Sequence, residues 1–134
     1  MCIRDRVYNT HHPLGHRGYY EDQMKAAQHR SAAFRDERMP KFLGYFENIL
    51  AERGEYLLGD FSYVDLSVTY VLDGLGHAFP NALRALSPQI PRLLRLQAQV
   101  RRRPRIAAYL ASERRIPFNQ RGIFRDYPEL DPPV

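Results

Sequence analysis

The sequence predicts an all-α fold, a helical bundle followed by an irregular C-terminal tail. One observation is a helix-start signature at residues 61–66, where a serine and an aspartate stand three positions apart between two apolar residues. A second is residues 39–50, where apolar residues recur every three or four positions, as on the buried face of a helix. A third is that Pro80, Pro91 and Pro104 each precede a helical pattern, and proline suits the first turn of a helix.

The best-defined helix begins at Ser62. Its hydroxyl can accept a hydrogen bond from the amide of Asp65, and the Asp65 carboxylate can accept one from the amide of Ser62. Phe61 can pack on Leu66 as a hydrophobic staple. Apolar residues follow on all sides, so this helix is expected to be central and buried on most sides. A strand over 67–71 is the alternative, but the cap sets a helical register into which the apolar positions fall.

The other elements follow from helix breakers and apolar spacing. Residues 7–20 are rich in Asn, His, Pro and Gly and are predicted to be a loop, with the end of a helix as the alternative. A helix is predicted from about Glu21 to Gly54, with a kink or break near 37–39 because Pro40 removes a hydrogen bond. The central helix is predicted to end at 74–76, and further helices are predicted over 80–86, 91–103 and 104–112. In the tail, residues 117–130 are predicted to pack on the domain because they include aromatic residues.

Composition fits one globular domain. The chain has 134 residues, of which 44% are hydrophobic and 26% charged. It has no apolar run long enough to cross a membrane and no signal-peptide core, so we expect no membrane partner and a cytoplasmic location. A single cysteine excludes an internal disulfide and a cysteine-based metal cluster.

The net charge of +5 makes nucleic acid a partner to consider. Arg101, Arg102, Arg103 and Arg105 are clustered, but no aromatic platform lies between them. Cations at the end of a helix complement its dipole and often need no ligand. We therefore expect a solvated helix end and no nucleic acid, and steep salt dependence of DNA binding would mark the alternative.

The first six residues are treated separately from the domain. Residues 1–6 resemble the translation of a transposase end sequence used to prepare sequencing libraries, so they are expected to be an adapter artefact, with the natural protein beginning upstream. The predicted organisation is then a helical domain over 7–116 and a tail over 117–134 packed on it.

No catalytic residue is predicted. A nucleophile elbow, a glycine-rich phosphate loop and paired catalytic carboxylates are all missing from the sequence. His11, His12 and His16 are clustered, but their spacing is poor for a metal site, and none is predicted. Asp65 is interpreted as structural because its oxygens bind backbone amides at the helix start.

Aromatic residues gather at the two ends of the chain, outside the periodic helices. Such residues can form the rim of an apolar pocket, and simple packing is the alternative. The candidate substrate-binding residues are Tyr8, His12, Tyr19, Tyr20, Phe118, Phe124 and Tyr127.

The helix start at 61–65 resembles the all-helical C-terminal domain of cytosolic glutathione transferases, whose central helix opens with the same Ser/Thr-x-x-Asp box and staple. Three further segments match in order: Leu57-Leu58-Gly59-Asp60, Met39-Pro40-Lys41-Phe42-Leu43, and the stretch from Pro104 to Ser112. The likeness covers about Glu21 to Phe118, and the sigma-like group is most similar.

The resemblance implies a function for the full-length protein. In that family a thioredoxin-like N-terminal domain binds glutathione and activates its thiol, and the helical domain contributes the wall of the hydrophobic-electrophile site and part of a homodimer interface. This chain lacks that domain, so it is expected to bind no glutathione and to be inactive alone, with glutathione as the co-substrate of the full-length protein. The alternative is a non-catalytic, transferase-like helical module for protein interaction.

Overall fold

Seven α-helices make up most of residues 3–133, the part of the chain that the computed structural model describes. They are α1 (Ile3–His11), α2 (Tyr20–Ala33), α3 (Met39–Arg53), α4 (Tyr63–Ala78), α5 (Pro80–Leu86), α6 (Pro91–Arg102) and α7 (Pro104–Leu110). A π-helical turn, Phe34–Arg38, joins α2 to α3, and 3-10 turns occupy Ser87–Gln89 and Pro128–Leu130. The described residues contain one isolated bridge, Leu58 with Asp60, and no strand. The predicted all-α fold is confirmed.

The core lies around α6, which packs against both α3 and α4. α1 packs along α2, and α7 packs on α6. The helices contribute the apolar stripes that the spacing predicts, and their inward residues include Leu43, Leu50, Leu72, Leu75, Leu93 and Leu96, all nearly inaccessible to solvent. In residues 3–133 no helix is both long and apolar enough to cross a membrane.

The start of α4 has the reciprocal bonds of a capping box. The amide of Ser62 donates to Asp65 Oδ2 at 2.7 Å, and the amide of Val64 donates to Ser62 Oγ at 3.3 Å. The ring of Phe61 lies 5.8 Å from the ring of Tyr56, while Leu66 stays 40% exposed. Leu66 is therefore only partly buried at this boundary.

The expectation that α4 is buried on most sides is wrong for one face. Tyr63, Leu66 and Tyr70 are exposed, at 77%, 40% and 55% of their surface, and they share one side of the helix. An apolar sequence on all sides does not separate a helix surrounded by its own domain from one with a bare apolar face. The helix also runs to Ala78, beyond the predicted end at 74–76.

The predicted loop over 7–20 is wrong for residues 7–11, which form the end of α1 as the alternative interpretation held. Val7 is fully buried, and Thr10 Oγ1 donates to the carbonyl of Arg6 at 2.8 Å. Packing thus outweighs the weak helix propensity of the Asn-Thr-His segment. The loop itself is confined to residues 12–19.

The irregularity expected before Pro40 is a π-helical turn over Phe34–Arg38. The amide of Met39 donates to the carbonyl of Phe34, five residues back. The helical path therefore continues from the π-helical turn into α3, with Pro40 in the first turn of α3. There the missing proline amide is harmless. At the other end of α3, Gly54 adopts φ +98° and ends the helix as predicted.

Candidate functional site

The tail, residues 117–133, runs back over the domain and meets the end of α1 and the start of α2. The end of α1 contributes Tyr8 and His11, and His12 directly follows this helix. These three side chains face Tyr20 at the start of α2. Tyr127 from the tail packs against the group. Tyr20 and Tyr127 are stacked with their ring centroids 3.8 Å apart, and Tyr8 and His12 are stacked at 5.4 Å. We call these five residues the aromatic–histidine cluster.

Hydrogen bonds fasten the cluster to the tail. His11 Nε2 lies 3.0 Å from the carbonyl oxygen of Ile123, and His11 Nδ1 lies 2.5 Å from His12 Nδ1. Tyr20 Oη donates to Glu129 Oε1 at 2.8 Å. The tail is therefore bonded to both α1 and α2 by side chains that are themselves buried.

Burial sets the electrostatics of the cluster. It lowers the pKa of His11 to about 4, against a weaker opposing effect of the bond to the Ile123 carbonyl. It also lowers the pKa of His12, with a smaller contribution from Arg125. Burial raises the pKa of Tyr20, and the bond to Glu129 adds to that rise. All three side chains are consequently held in their neutral forms near pH 7.

A second group of aromatic residues lies against α4. Phe124 is buried between the ring of Tyr70, at 5.8 Å between centroids, and that of Phe118, at 5.7 Å. Beneath Phe124 is Gly74, where an added Cβ would lie 2.5 Å from three atoms of the Phe124 ring. The tail can therefore approach the α4 backbone only because residue 74 has no side chain.

The structure places six of the seven predicted substrate-binding residues in two aromatic groups. Tyr8, His12, Tyr20 and Tyr127 belong to the aromatic–histidine cluster, and Phe118 and Phe124 belong to the group on α4, joined to it by the tail. Tyr19 is 78% exposed and stands apart. Within each group the rings pack on one another, and the clefts described here are lined by other residues. Their role in binding substrate stays a prediction.

The largest cleft described is an apolar groove of about 610 Å³ between α3 and α4. Its walls are mainly aromatic and aliphatic side chains, with Lys41 as the charged member and the hydroxyls of Tyr45, Tyr63 and Ser67 as the other polar groups. Sequence reasoning missed this groove, although the apolar residues on every side of α4 were a signal for it. Their pattern predicts burial on most sides of α4 and does not reveal which side stays open.

Three carboxylates accept hydrogen bonds from backbone amides that lie outside their own helix or segment, in a loop or at the start of another helix. Asp65 is fully buried, and its Oδ1 accepts from the amide of Leu57 at 3.0 Å, in addition to the bond from Ser62. Glu47 on α3 accepts from the amide of Leu93 at 2.9 Å, at the start of α6. Asp131 in the tail accepts from the amide of Asn81 at 2.6 Å, at the start of α5. Neither α5 nor α6 has a side-chain cap of its own, so these carboxylates take that role.

The arginines predicted to form a solvated helix end are partly engaged within the chain. Arg101 Nη1 lies 2.7 Å from Asp73 Oδ1, and the guanidinium of Arg103 lies 3.6 Å from the ring centroid of Phe61. In the part of the chain that the structure describes, no group of three or more His, Cys, Asp or Glu side chains could hold a metal ion.

Comparison with known families gives one finding. The family described as "Glutathione S-transferase, C-terminal domain" matches residues 8–113. No curated protein matches the chain. The matched range contains the described helices α2 to α7 and ends before the tail.

Proposed function

Because the chain belongs to the glutathione S-transferase C-terminal domain family, we propose that it forms part of the hydrophobic-electrophile site of a glutathione transferase. The observation that carries the proposal is the assembly of aromatic residues from the two ends of the chain, Tyr8 and Tyr20 with Tyr127, on one side of a domain of this family. Rings of this kind bind apolar ligands through their faces and edges.

The proposal gives the cluster a binding role and leaves thiol activation to another domain. Activation of a thiol requires a group that favours the thiolate, such as a positive charge or a suitably poised hydrogen-bond donor. The hydroxyl of Tyr20 already donates to Glu129, and its pKa is raised, so it is not free for that task. His11 is buried and bonded to the tail. Glutathione is therefore assigned to a thioredoxin-like domain of the full-length protein, and this chain alone is proposed to be inactive.

The proposal also has finer parts, which go beyond membership in the family. A sigma-like transferase, a homodimer, a cytoplasmic location and an upstream thioredoxin-like domain are all included. The exposed apolar face of α4, with Tyr63 and Tyr70, supports a covering partner of some kind, because such a face is costly to leave in water.

Titration of the 134-residue chain with glutathione in a calorimeter tests whether glutathione binding belongs to another domain. We expect no specific heat of binding, and clear affinity of this chain for glutathione would contradict the proposal. The genomic reading frame before Val7 gives the second readout. A frame encoding a thioredoxin-like domain supports a transferase.

The groove between α3 and α4 favours a second candidate, a non-catalytic module for protein interaction. Its apolar lining and the exposure of Tyr45 and Tyr63 suit a protein partner as well as a domain of the same chain. An unrelated domain or a natural start codon before Val7 would favour this candidate. Hydrogen exchange of α3 and α4 in the natural full-length protein then shows whether the groove is covered within one chain.

A further inference from the structure

We propose that the groove between α3 and α4 is the seat of a helical segment that continues α1 upstream in the natural protein. The inference rests on the apolar surface of the groove and on the direction in which α1 runs. It does not depend on the proposed transferase activity, since a non-catalytic module would have the same helix.

The groove has two helical walls with an exposed aromatic rim. Phe42 and Phe46 line the α3 wall, and Val64 and Val71 line the α4 wall. At the rim, the side chain of Tyr63 is 77% exposed. An apolar groove between two helices fits the apolar face of a third helix, through residues spaced three or four positions apart. The shape and lining of the groove therefore suit a helix.

α1 runs antiparallel to α2 and leads toward this groove. Its end lies next to the start of α2, where the rings of His12 and Tyr20 have their centroids 6.4 Å apart. α1 also contacts the π-helical turn Phe34–Arg38 at the far end of α2, and Arg6 lines a small cavity beside that turn. α3 begins directly after the turn. A helix continued upstream from Ile3 would therefore run along the first turns of α3.

The strip of α2 next to α1 continues into the α3 wall of the groove. Arg30, Phe34 and Arg38 line the small cavity beside α1, and every fourth residue of a helix lies on the same side. The next two positions in this series are Phe42 and Phe46. The guanidinium of Arg38 lies 5.2 Å from the ring centroid of Phe42, so the two strips adjoin. One helix can therefore pack on both of them.

The α4 wall leads back to the end of α1. Tyr63, Ser67 and Gly74 lie on one side of α4, because they follow one another at helical spacing. Phe124 of the tail lies on Gly74, and the adjacent Ile123 is bonded to the end of α1. Toward the start of α4 the same side is exposed, at Tyr63 and Ser67. A continuation of α1 would cover it next to the tail.

The dimensions of the groove set the length of the segment. Its α4 wall spans residues 63–71, which is about 12 Å of helix at a rise of about 1.5 Å per residue. A helix of about 8–12 residues before Ile3 therefore covers the groove. Its apolar residues should recur every three or four positions, counted back from the buried Val7. Lys41, an exposed residue of the groove, favours a carboxylate at the edge of this helix.

The natural reading frame before Val7 gives the first test. We expect the stretch of about 12–16 residues before Val7 to be free of proline and glycine beyond its first turn and to carry apolar residues at helical spacing. A proline or a glycine-rich run in the middle of this stretch would overturn the proposal, as would a natural start codon there.

Photo-crosslinking in the natural full-length protein identifies what covers the groove. Tyr63 is replaced with p-benzoylphenylalanine, and the peptide attached after irradiation is identified by mass spectrometry. We expect attachment within the stretch of about 12–16 residues before Val7 of the same chain. The same replacement at Tyr45, another exposed residue of the groove, should give the same attachment. Tyr19 is 78% exposed at the opposite end of α1, and a probe there should not attach to this stretch.

The identity of the attached peptide decides between the possible occupants. Attachment of the Tyr63 probe to a separate domain, to a second copy of the chain or to another protein would overturn the proposal. Absence of attachment at both Tyr63 and Tyr45 would also overturn it. Transferase activity is measured independently of the probe, so failure of this proposal and failure of the proposed function are distinguishable.

Tyrosine nitration gives a readout that needs no substitution. We expect Tyr63 to react about 10-fold more slowly in the natural full-length protein than in the 134-residue chain, because the segment shields its ring. Tyr19 should react at rates within about 2-fold of each other in the two proteins. Equal rates at Tyr63 in the two proteins would contradict a covered groove.

Discussion

At the scale of single residues, the start of α4 shows how a sequence signal gains meaning from its surroundings. Ser62 and Asp65 could be identified as a helix start from their spacing alone, because a capping box is a local device. The bond from the amide of Leu57 to Asp65 Oδ1 could not, since it depends on how residues 55–60 fold back on the helix. Asp65 therefore fastens the preceding loop as well as its own helix.

Asp65→Ala should destabilise the fold by more than an ordinary cap. Loss of a cap costs about 1 kcal/mol, and leaving the buried Leu57 amide without an acceptor adds about 1–3 kcal/mol. We therefore expect a free energy of unfolding lower by about 2–4 kcal/mol in urea denaturation. Asp60→Ala, at an exposed position five residues earlier, should stay within about 0.5 kcal/mol of wild type. Equal effects of the two variants would contradict this role.

Gly74 and Gly76 give a matched pair on one helix. A Cβ at Gly74 would lie 2.5 Å from the Phe124 ring, whereas one at Gly76 would lie 3.6 Å from Leu83 in ordinary contact. We expect Gly74→Ala to lower the free energy of unfolding by about 1–3 kcal/mol through overpacking. Gly76→Ala should raise it by about 0.5–1 kcal/mol, because alanine is the better helix former.

Phe124→Ala should remove the cause of the Gly74→Ala effect. With the ring absent, the added methyl group has room, so the double variant should be less destabilised than the sum of the two single variants. If the losses in the free energy of unfolding were strictly additive, the effect of Gly74→Ala would have a cause other than contact with the Phe124 ring.

At the scale of elements, the helices could be predicted from the sequence, but the side-chain hydrogen bonds that cap their starts could not. α3 to α7 could be placed within a few residues because proline, glycine and apolar periodicity act locally. Asp131 binds the start of α5 from 50 positions away, and Glu47 binds the start of α6 from 46 positions before Leu93. Such pairings depend on the completed fold, and a carboxylate that will cap a distant helix looks like any other in the sequence.

Glu47→Ala should therefore weaken α6, the helix at the centre of the core. It would leave the amide of Leu93 without its acceptor and remove the contact of Arg92 Nη1, 3.3 Å away. We expect the free energy of unfolding to fall by about 2–3 kcal/mol, measured in urea. Glu52→Ala, an exposed site on the same helix, is the control and should change it by less than about 0.5 kcal/mol.

At the scale of the whole molecule, the tail joins the two ends of the chain. His11 and Ile123 are 112 positions apart, yet they are bonded beside the stacked rings of Tyr20 and Tyr127. The aromatic residues could be chosen as site candidates from the sequence because they lie outside the periodic helices. Their packing on one another could not be predicted, since it requires the path of the tail and the seat at Gly74.

The groove between α3 and α4 marks the limit of the same reasoning. Helical spacing identifies which positions of α4 are apolar but not which of them meet another helix of the domain. Tyr63 is exposed at the groove because α6 packs against α3 and α4 from the other side, whereas Tyr70 is half-exposed beside the tail rings of Phe118 and Phe124. A bare apolar face of this kind is a property of the assembled helices.

Steady-state kinetics of the natural full-length protein test the proposed wall of the electrophile site most directly. Tyr127→Ala removes the ring stacked on Tyr20, whereas Tyr63→Ala removes an exposed ring of the α3–α4 groove and serves as control. If the aromatic–histidine cluster binds the electrophile, Tyr127→Ala should raise KM for an aryl halide by about 10-fold, as expected for a lost aromatic contact, and leave KM for glutathione unchanged. An unchanged KM for the aryl halide in Tyr127→Ala, or an equal rise in Tyr63→Ala, would contradict the account.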